Sequence, residues 1–200
     1  NYAQWNHKYK TITAYKPLKI WQDTTEITAD KITYYSFYQL FILEPNCIFK
    51  NERYTINSKK ALIKEKLKTI TFQENVTFKG DDYNGRADEI DINYETKEYF
   101  FKNNVLYEHK DSVINTDYAY AQHDTSIVKF KDNVKLLHKN ILIHSDSAIL
   151  NKELQLIEFQ NNIKAWKDKT LIEGENMIFD LKEKKFLSTG GRTKFTKSKQ

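Results

Sequence analysis

The sequence of 200 residues predicts an all-β protein: an elongated antiparallel meander of about thirteen strands, each folded over at its middle. Three observations predict this. Apolar residues alternate along short extended segments. That alternation is interrupted at the centre of each segment. The whole pattern then returns every 29 residues, in register, without insertion or deletion.

Residues 154–181 show the unit. A first segment carries Ile157 and Phe159, crosses the polar break Gln160-Asn161-Asn162, and resumes with Ile163 and Ala165. Lys167, Asp168 and Lys169 make a turn. A second segment has Ile172 before the break Gly174-Glu175, and Met177 and Phe179 after it. Stepping back by 29 residues aligns Asn162 with Asn133, Asn104, Asn75 and Asn46. The residue after it is always apolar: Ile163, Val134, Val105, Val76, Cys47 and Leu18. The Phe159 column contains Phe130, Phe101, Phe72, Leu43 and Ala14, and the Ile157 column contains Val128, Tyr99, Ile70, Phe41 and Ile12. The second break pairs a small residue with an acid at Ser145-Asp146, Thr116-Asp117, Ala87-Asp88 and Ala29-Asp30, with Ser58-Lys59 as the exception.

The period runs from about residue 10 to 194 with no interruption, so one domain spanning 1–200 is expected. Its copies fall near 10–38, 39–67, 68–96, 97–125, 126–154 and 155–183, with a partial copy at 184–198. Two prolines and five glycines against 13 Tyr and 12 Phe form a strand-rich composition, because aromatic and β-branched side chains fit a pleated surface. No run of 18 apolar residues is present. Asn1 falls in the Asp30 column, so the chain begins in mid-repeat and a processed or trimmed start is expected. One cysteine rules out an internal disulfide framework, and Cys47, in an apolar column, reads as a small buried hydrophobe.

Polar turns are expected at 21–24, 50–53, 79–82, 108–111, 137–140 and 166–169, and on the opposite side at 35–38, 64–67, 93–96, 122–125, 151–154 and 180–183. Turns of about four residues suit antiparallel hairpins. With a bend in every strand, the meander becomes two facing sheets, a trough with turns along both lips. At about 4.8 Å per strand the body would extend roughly 60 Å. The same periodicity also fits a solenoid of parallel strands with the breaks as corners.

Two segments carry a family resemblance: Phe130-Lys131-Asp132-Asn133-Val134-Lys135-Leu136 and Ile143-His144-Ser145-Asp146-Ser147-Ala148-Ile149-Leu150. Repeated in register along nearly all of the chain, they resemble the OstA/LptA-like family of lipopolysaccharide-transport β-jellyrolls, which share the folded-over "β-taco" fold and span the LptA, LptC and LptD N-terminal domain superfamily. Two features depart from it: only the sixth repeat has Gly at the small-acid break, and the last copy weakens to Phe186-Leu187-Ser188-Thr189-Gly190-Gly191. The resemblance implies an LptA-like protein or a domain of a longer OstA-like chain. It also implies a periplasmic location, in association with the outer or inner membrane.

Catalytic and metal-binding readings fare poorly. His7, His109, His123, His138 and His144 show no metal-ligand spacing. The acids at Asp30, Asp88, Asp117 and Asp146 read as bend residues accepting backbone N–H bonds, in preference to a catalytic or calcium-binding ladder. No phosphate loop or nucleophile motif is present, and no enzyme activity or cofactor is expected. Net charge is +5, with lysines clustered at Lys59, Lys60, Lys64, Lys66 and Lys68 and again at Lys182, Lys184, Lys185, Lys194, Lys197 and Lys199. These read as a solvated, edge-protecting face or as partners for lipid phosphates. Nucleic acid fits badly, because the aromatics occupy inward columns and leave no exposed stacking groove. Trp21, Trp166 and Phe195 share a column beside one lip.

A row of phenylalanines fills the interior of any β-solenoid, so the residues alone read as packed core. The resemblance implies instead that the row lines a lipid path. The residues concerned are Phe41, Leu43, Phe49, Ile70, Phe72, Phe78, Tyr99, Phe101, Tyr107, Val128, Phe130, Ile157, Phe159, Met177 and Phe179. The ligand implied is lipopolysaccharide or a related lipid. The partners implied are other jellyroll domains, or the protein itself, joined end to end through edge strands near 10–20 and 185–195. A carbohydrate-acting or carbohydrate-binding β-helix and a structural surface rod are the competing readings.

Overall fold

The computed structural model of the chain describes residues 2–22, 24–168, 170–188 and 194–197. Asn1, the weak last copy at Gly190 and Gly191, and the side chains of Lys194, Phe195, Lys197 and Lys199 lie outside what is described. The chain divides into two compact units, Asn1–Phe101 and Lys102–Gln200.

The first unit contains β1 (Tyr2–Asn6), β2 (Thr11–Gln22), β3 (Thr25–Tyr35), β4 (Leu40–Glu44) and β5 (Cys47–Lys50). It continues through β6 (Tyr54–Ser58), β7 (Lys60–Lys64), one short 3-10 turn (Glu65–Leu67), β8 (Thr69–Gly80) and β9 (Tyr83–Asn93). β10 (Glu98–His109) leads into the second unit, which holds β11 (Ser112–Gln122), β12 (Ile127–His138), β13 (Ile141–Asn151), β14 (Leu156–Lys167), β15 (Thr170–Asp180), β16 (Lys185–Ser188) and β17 (Lys194–Lys197). Neighbours pair antiparallel in both units, for example Ile70↔Ile92 between β8 and β9 and Phe130↔Ala148 between β12 and β13. The parallel solenoid is thereby excluded.

Among the described residues seventeen strands arise from the expected thirteen by three subdivisions and one addition. β4 and β5 lie along one lane beside β3, and β6 and β7 along the next. β16 and β17 both pair with β15. β1 adds a half-length lane that pairs with residues 11–15 of β2. The turns sit where the sequence predicts, but the two lips differ. One lip uses four-residue turns ending in a left-handed residue, at Lys10, Gln39, Lys68, Lys97, Gln155 and Lys184. The other uses tighter turns such as Lys110-Asp111 and Lys139-Asn140, whose first residue is left-handed.

The mid-strand break is a two-residue bulge. Residues 74–75, 103–104, 132–133 and 161–162 all have positive φ, and the ladder register shifts across three of these sites: Gln73/Val76, Lys131/Val134 and Gln160/Ile163. Two consecutive left-handed residues are costly for most side chains. Asn and Asp tolerate them best, because their short polar groups bond locally. That is why Asn103-Asn104, Asp132-Asn133 and Asn161-Asn162 occupy the break. The acid of the preceding strand then grips the bulge from outside: Asn133 Nδ2 donates to Asp117 Oδ2 at 2.6 Å, Asn162 Nδ2 to Asp146 Oδ2 at 2.7 Å, and Asn46 Nδ2 to Asp30 Oδ2 at 2.6 Å. The acids thus bond an asparagine amide, where the sequence reading had them bonding backbone N–H groups. The small residue beside each acid points inward. Thr116 Oγ1 donates to the carbonyls of Lys131 and Asp132 at 2.7 and 2.9 Å, so it ties down the partner bulge from inside.

Bent strands bring the two halves of the sheet face to face. Phe49 on β5 meets Phe72 on β8 at 5.7 Å between ring centroids, and Phe78 on β8 meets Phe101 on β10 at 4.8 Å. In the second unit Tyr107 on β10 meets Phe130 on β12 at 5.5 Å, and His138 on β12 meets Phe179 on β15 at 5.6 Å. Strands two or three lanes apart in one flat sheet are roughly 10–15 Å apart. These rings therefore touch across the fold, between layers.

The bulge account makes a graded prediction. Asn133→Ala loses both the left-handed tolerance and the bond to Asp117, and should cost about 1–2 kcal/mol. Asn133→Gly keeps the backbone freedom and should cost less. Thermal melting of the two variants checks the order, and equal melting temperatures would refute it.

Candidate functional site: the apolar interior

Alternating side chains point between the layers. In the first unit Leu43, Phe49, Ile70, Phe72 and Phe78 are buried, while Phe41, Tyr99 and Phe101 are half-buried. In the second unit Tyr107, Val128, Phe130, Ile157, Phe159, Met177 and Phe179 are all buried. All fifteen residues singled out from the sequence therefore face the interior of their unit. They pack against one another: Phe72, Phe130, Phe159 and Phe179 are among the largest fully buried side chains.

The packing loosens at the N-terminal end of the first unit. A cavity of about 280 Å³ opens there between β2, β3 and β4, lined by Ile12, Ala14, Leu18, Ile20, Ile32, Tyr34, Phe41 and the stem of Lys19. Its cause is legible in the repeat. Ala14 stands in the column filled by Leu43, Phe72, Phe101, Phe130 and Phe159, so the ladder lacks one large side chain at this place. Phe41 stacks on Tyr34 at 4.4 Å and forms the far wall. Of the fifteen residues, Phe41 alone lines this cavity; Ile12, Ala14 and Leu18 were identified in the sequence as members of repeat columns without a role.

Buried polar groups lie at the mid-strand bulges, as at Ser58, Thr116 and Ser145, and close to the lips. Tyr54 and Tyr99 share a hydrogen bond of 2.7 Å between their hydroxyls, and burial first, then Tyr99, raises the Tyr54 pKa. Burial likewise pushes Tyr83 up to about 12. His138, buried at the end of β12, shares a hydrogen bond of 2.8 Å between its Nδ1 and Ser112 Oγ. Its Nε2 is buried without a partner. Burial and the neighbouring Lys139 and Lys184 hold this ring below the ordinary histidine range, against a smaller opposing pull from Asp111. His144 is lowered too, by burial and by Lys135 and Lys164, and lies edge-on to Trp166 at 5.0 Å. Trp166 is half-buried by that contact, whereas Trp21 in the same column is exposed, with Lys19 Nζ 6.0 Å from its ring.

At the mouth of the second unit Lys139 pairs with Asp111 at 3.0 Å, and this lysine keeps the exposed Asp111 carboxyl below its usual range. Lys184, from the opposite lip, sits beside Lys139, which lowers its pKa. The two lips therefore meet here. Among the described residues no group of His, Cys, Asp and Glu is arranged to hold a metal ion, and no helix is long and apolar enough to cross a membrane. Cys47 is buried, its Sγ donating to the Leu43 carbonyl at 3.1 Å, and burial pushes its thiol up to about 11.

Two predictions follow from these environments. The folded Cys47 should resist alkylation near pH 8 and react once the chain is denatured, since thiolate is scarce and enclosed; rapid labelling of the folded protein would contradict this. His138 and His144 bind fewer protons folded than unfolded between their depressed pKa values and about 6.5. Stability is then complete above that pH and falls as pH drops through the window. Melting temperature should decline from pH 7.5 toward about 5.5, and the decline should flatten in a His138→Gln/His144→Gln variant.

Comparison with known proteins places these features in context. The sequence profile of the family described as "LptA/(LptD N-terminal domain) LPS transport protein" matches residues 3–119 and 55–185. Among solved structures, the chain is similar to LptH, the LptA-homologous periplasmic component of the lipopolysaccharide transport device of Pseudomonas aeruginosa. That match has 8% identity and a TM-score of 0.32, and covers 73% of this chain and 95% of that one. No curated protein matches the sequence.

Proposed function

Because the chain belongs to the LptA/(LptD N-terminal domain) family of lipopolysaccharide transport proteins, we propose that it is a non-enzymatic carrier that holds lipopolysaccharide, or a closely related lipid, by its acyl chains between the two layers of each unit. The single observation that carries this reading is the cavity at Ala14. There the inward apolar ladder is left unfilled beside Ile12, Ile32, Tyr34 and Phe41. An acyl chain entering there removes apolar surface from water at roughly 25 cal/mol per Å². Deeper entry along Phe72 and Phe101, and in the second unit along Phe130 and Phe159, requires those rings to turn aside.

The lipid would be handled in the periplasm, at either bounding membrane. Other jellyroll domains or a second copy join end to end through edge strands near 10–20 and 185–195, surfaces of different sequence, so the contact is heterologous and chains are extendable. The expectation for 10–20 is corrected in part: β1 (Tyr2–Asn6), exposed at every position, pairs with residues 11–15 of β2 and takes their place as the N-terminal edge.

Substitution at Ala14 tests the carrier reading. Ala14→Phe restores the residue type of the repeat column, and should leave the melting temperature unchanged or higher while abolishing lipopolysaccharide binding in a fluorescent-lipid displacement assay. A photo-crosslinker at Phe41 should capture the lipid, and one at the outward Lys129 should not. Undiminished binding by Ala14→Phe, or equal labelling at both positions, would overturn the proposal.

A further inference from the structure

One lip of the first unit gathers exposed apolar side chains and lysines on consecutive turns. Its first three turns are 7–10, 36–39 and 65–68, and hydrogen bonds stitch each to the next: Ser36 N and Oγ donate to the Lys10 carbonyl at 3.2 and 2.9 Å, and Glu65 N donates to the Gln39 carbonyl at 3.1 Å. The tips of these turns carry large apolar side chains in water. Phe37 is 80% exposed, the most of any large apolar residue described, with Tyr38 at 68%, Tyr9 at 64% and Leu67 at 61%. Phe37 and Tyr38 pack edge to face at 5.1 Å, so the pair is presented as one preformed knob.

Lysines surround these tips. Lys8 lies over the Tyr9 ring at 5.4 Å, and Lys10, Lys64, Lys66 and Lys68 enter no ion pair among the described residues. The single acid of the three turns is the half-buried Glu65. Later turns of the same lip each bring an acid to the surface, at Glu95 in this unit and at Asp124, Glu153 and Glu183 in the second. An exposed apolar tip recurs on this lip at Leu154, 65% exposed, but there it stands beside the exposed Glu153; among the described turns of this lip, exposed apolar tips meet basic charge without a surface acid at this end.

Exposed aromatic and aliphatic tips on rigid turns, ringed by unpaired lysines, are what a protein presents to the headgroup region of a bilayer. The rings enter the boundary between headgroups and acyl chains, while the lysines extend along the apolar surface toward phosphates. A water-facing function explains the lysines but leaves Phe37 unexplained. A protein groove would accept the knob, but gives no reason for a ring of uncompensated positive charge. We propose that this lip is a membrane-surface contact, by which the first unit docks peripherally on an anionic phospholipid leaflet. It is separate from the interior that the carrier reading assigns to acyl chains.

Co-sedimentation with vesicles tests it, with no lipopolysaccharide present. The full chain should bind phosphatidylcholine vesicles that contain phosphatidylglycerol, bind pure phosphatidylcholine vesicles far less, and lose affinity as salt rises. Lys66→Gln/Lys68→Gln should weaken binding by roughly fivefold for each lysine. Phe37→Ser/Tyr38→Ser/Leu67→Ser should weaken it by tenfold or more per side chain, on the order set by losing one inserted apolar group. These positions are exposed, so melting temperatures should match the wild type. Leu137→Ser/Leu142→Ser, on the other lip of the second unit, should bind as wild type, as should Ala14→Phe, whose defect belongs to the interior. Failure of the wild type to bind anionic vesicles would overturn the proposal. So would unchanged binding by the triple serine variant, or loss of a jellyroll partner by that variant with vesicle binding intact, which would make the lip a protein interface.

Discussion

The rest of the architecture depends on a grip between one asparagine and one aspartate across neighbouring strands. A β-strand of eleven or twelve residues does not fold over by itself, because bending breaks ladder bonds and leaves buried N–H and C=O groups unpaired. Here the break is displaced outward into two left-handed residues. The amide of Asn133 or Asn162 binds the carboxylate of Asp117 or Asp146 on the solvent side, and Thr116 satisfies the carbonyls on the inner side. The strand bends without leaving polar debt inside. Because the bulge and the acid recur at one interval, every strand bends at the same height, and the two halves of the sheet can face one another.

Once the layers face, their interior chemistry is constrained. Inward positions alternate with outward ones, so a column is apolar or small along its whole run, and rings from strands two or three lanes apart interlock. The buried histidines lie near the margins, at His109 and His138, and Cys47 lies buried beside the mid-strand break. Burial and adjacent lysines hold His138 below the ordinary histidine range, and Tyr54 and Tyr99 share a hydrogen bond between their hydroxyls. The interior offers dispersion and exclusion of water, with no nucleophile or metal cluster among the described residues. Membership in a lipopolysaccharide transport family is in keeping with such an interior.

Departures from the repeat carry the individual features. Ala14 in a phenylalanine column leaves a cavity, and Lys59 in an acid column coincides with the division of one lane into β6 and β7, where Lys59 N donates instead to the Glu74 carbonyl at 2.9 Å. Pro45 before Asn46 coincides with the division between β4 and β5. The lip turns obey the period in backbone but not in side chain. The left-handed residue returns at Lys10, Gln39, Lys68, Lys97, Gln155 and Lys184, while Phe37 and Tyr38 have no counterpart of equal exposure in the turns at 94–97, 152–155 and 181–184; Leu67 has one in Leu154.

The strand lanes, their bends, both rows of turns and the inward face of all fifteen interior residues were legible in the sequence, because a period-two pattern repeated in register leaves no freedom in which side chain faces inward. Antiparallel pairing was not separable from a parallel coil by periodicity, since both place the same columns in stacks; only the hydrogen-bond ladder chose. The partner of the acid column was likewise misread, because an aspartate at a bend has many possible donors, and sequence does not show which neighbouring group comes within 3 Å. Tertiary structure alone decided that Phe49 meets Phe72, that His138 meets Phe179, and that Lys184 meets Lys139, for these contacts join strands that are not adjacent. Their approach depends on how the layers close over one another, a property of the folded sheet and of no single segment within it.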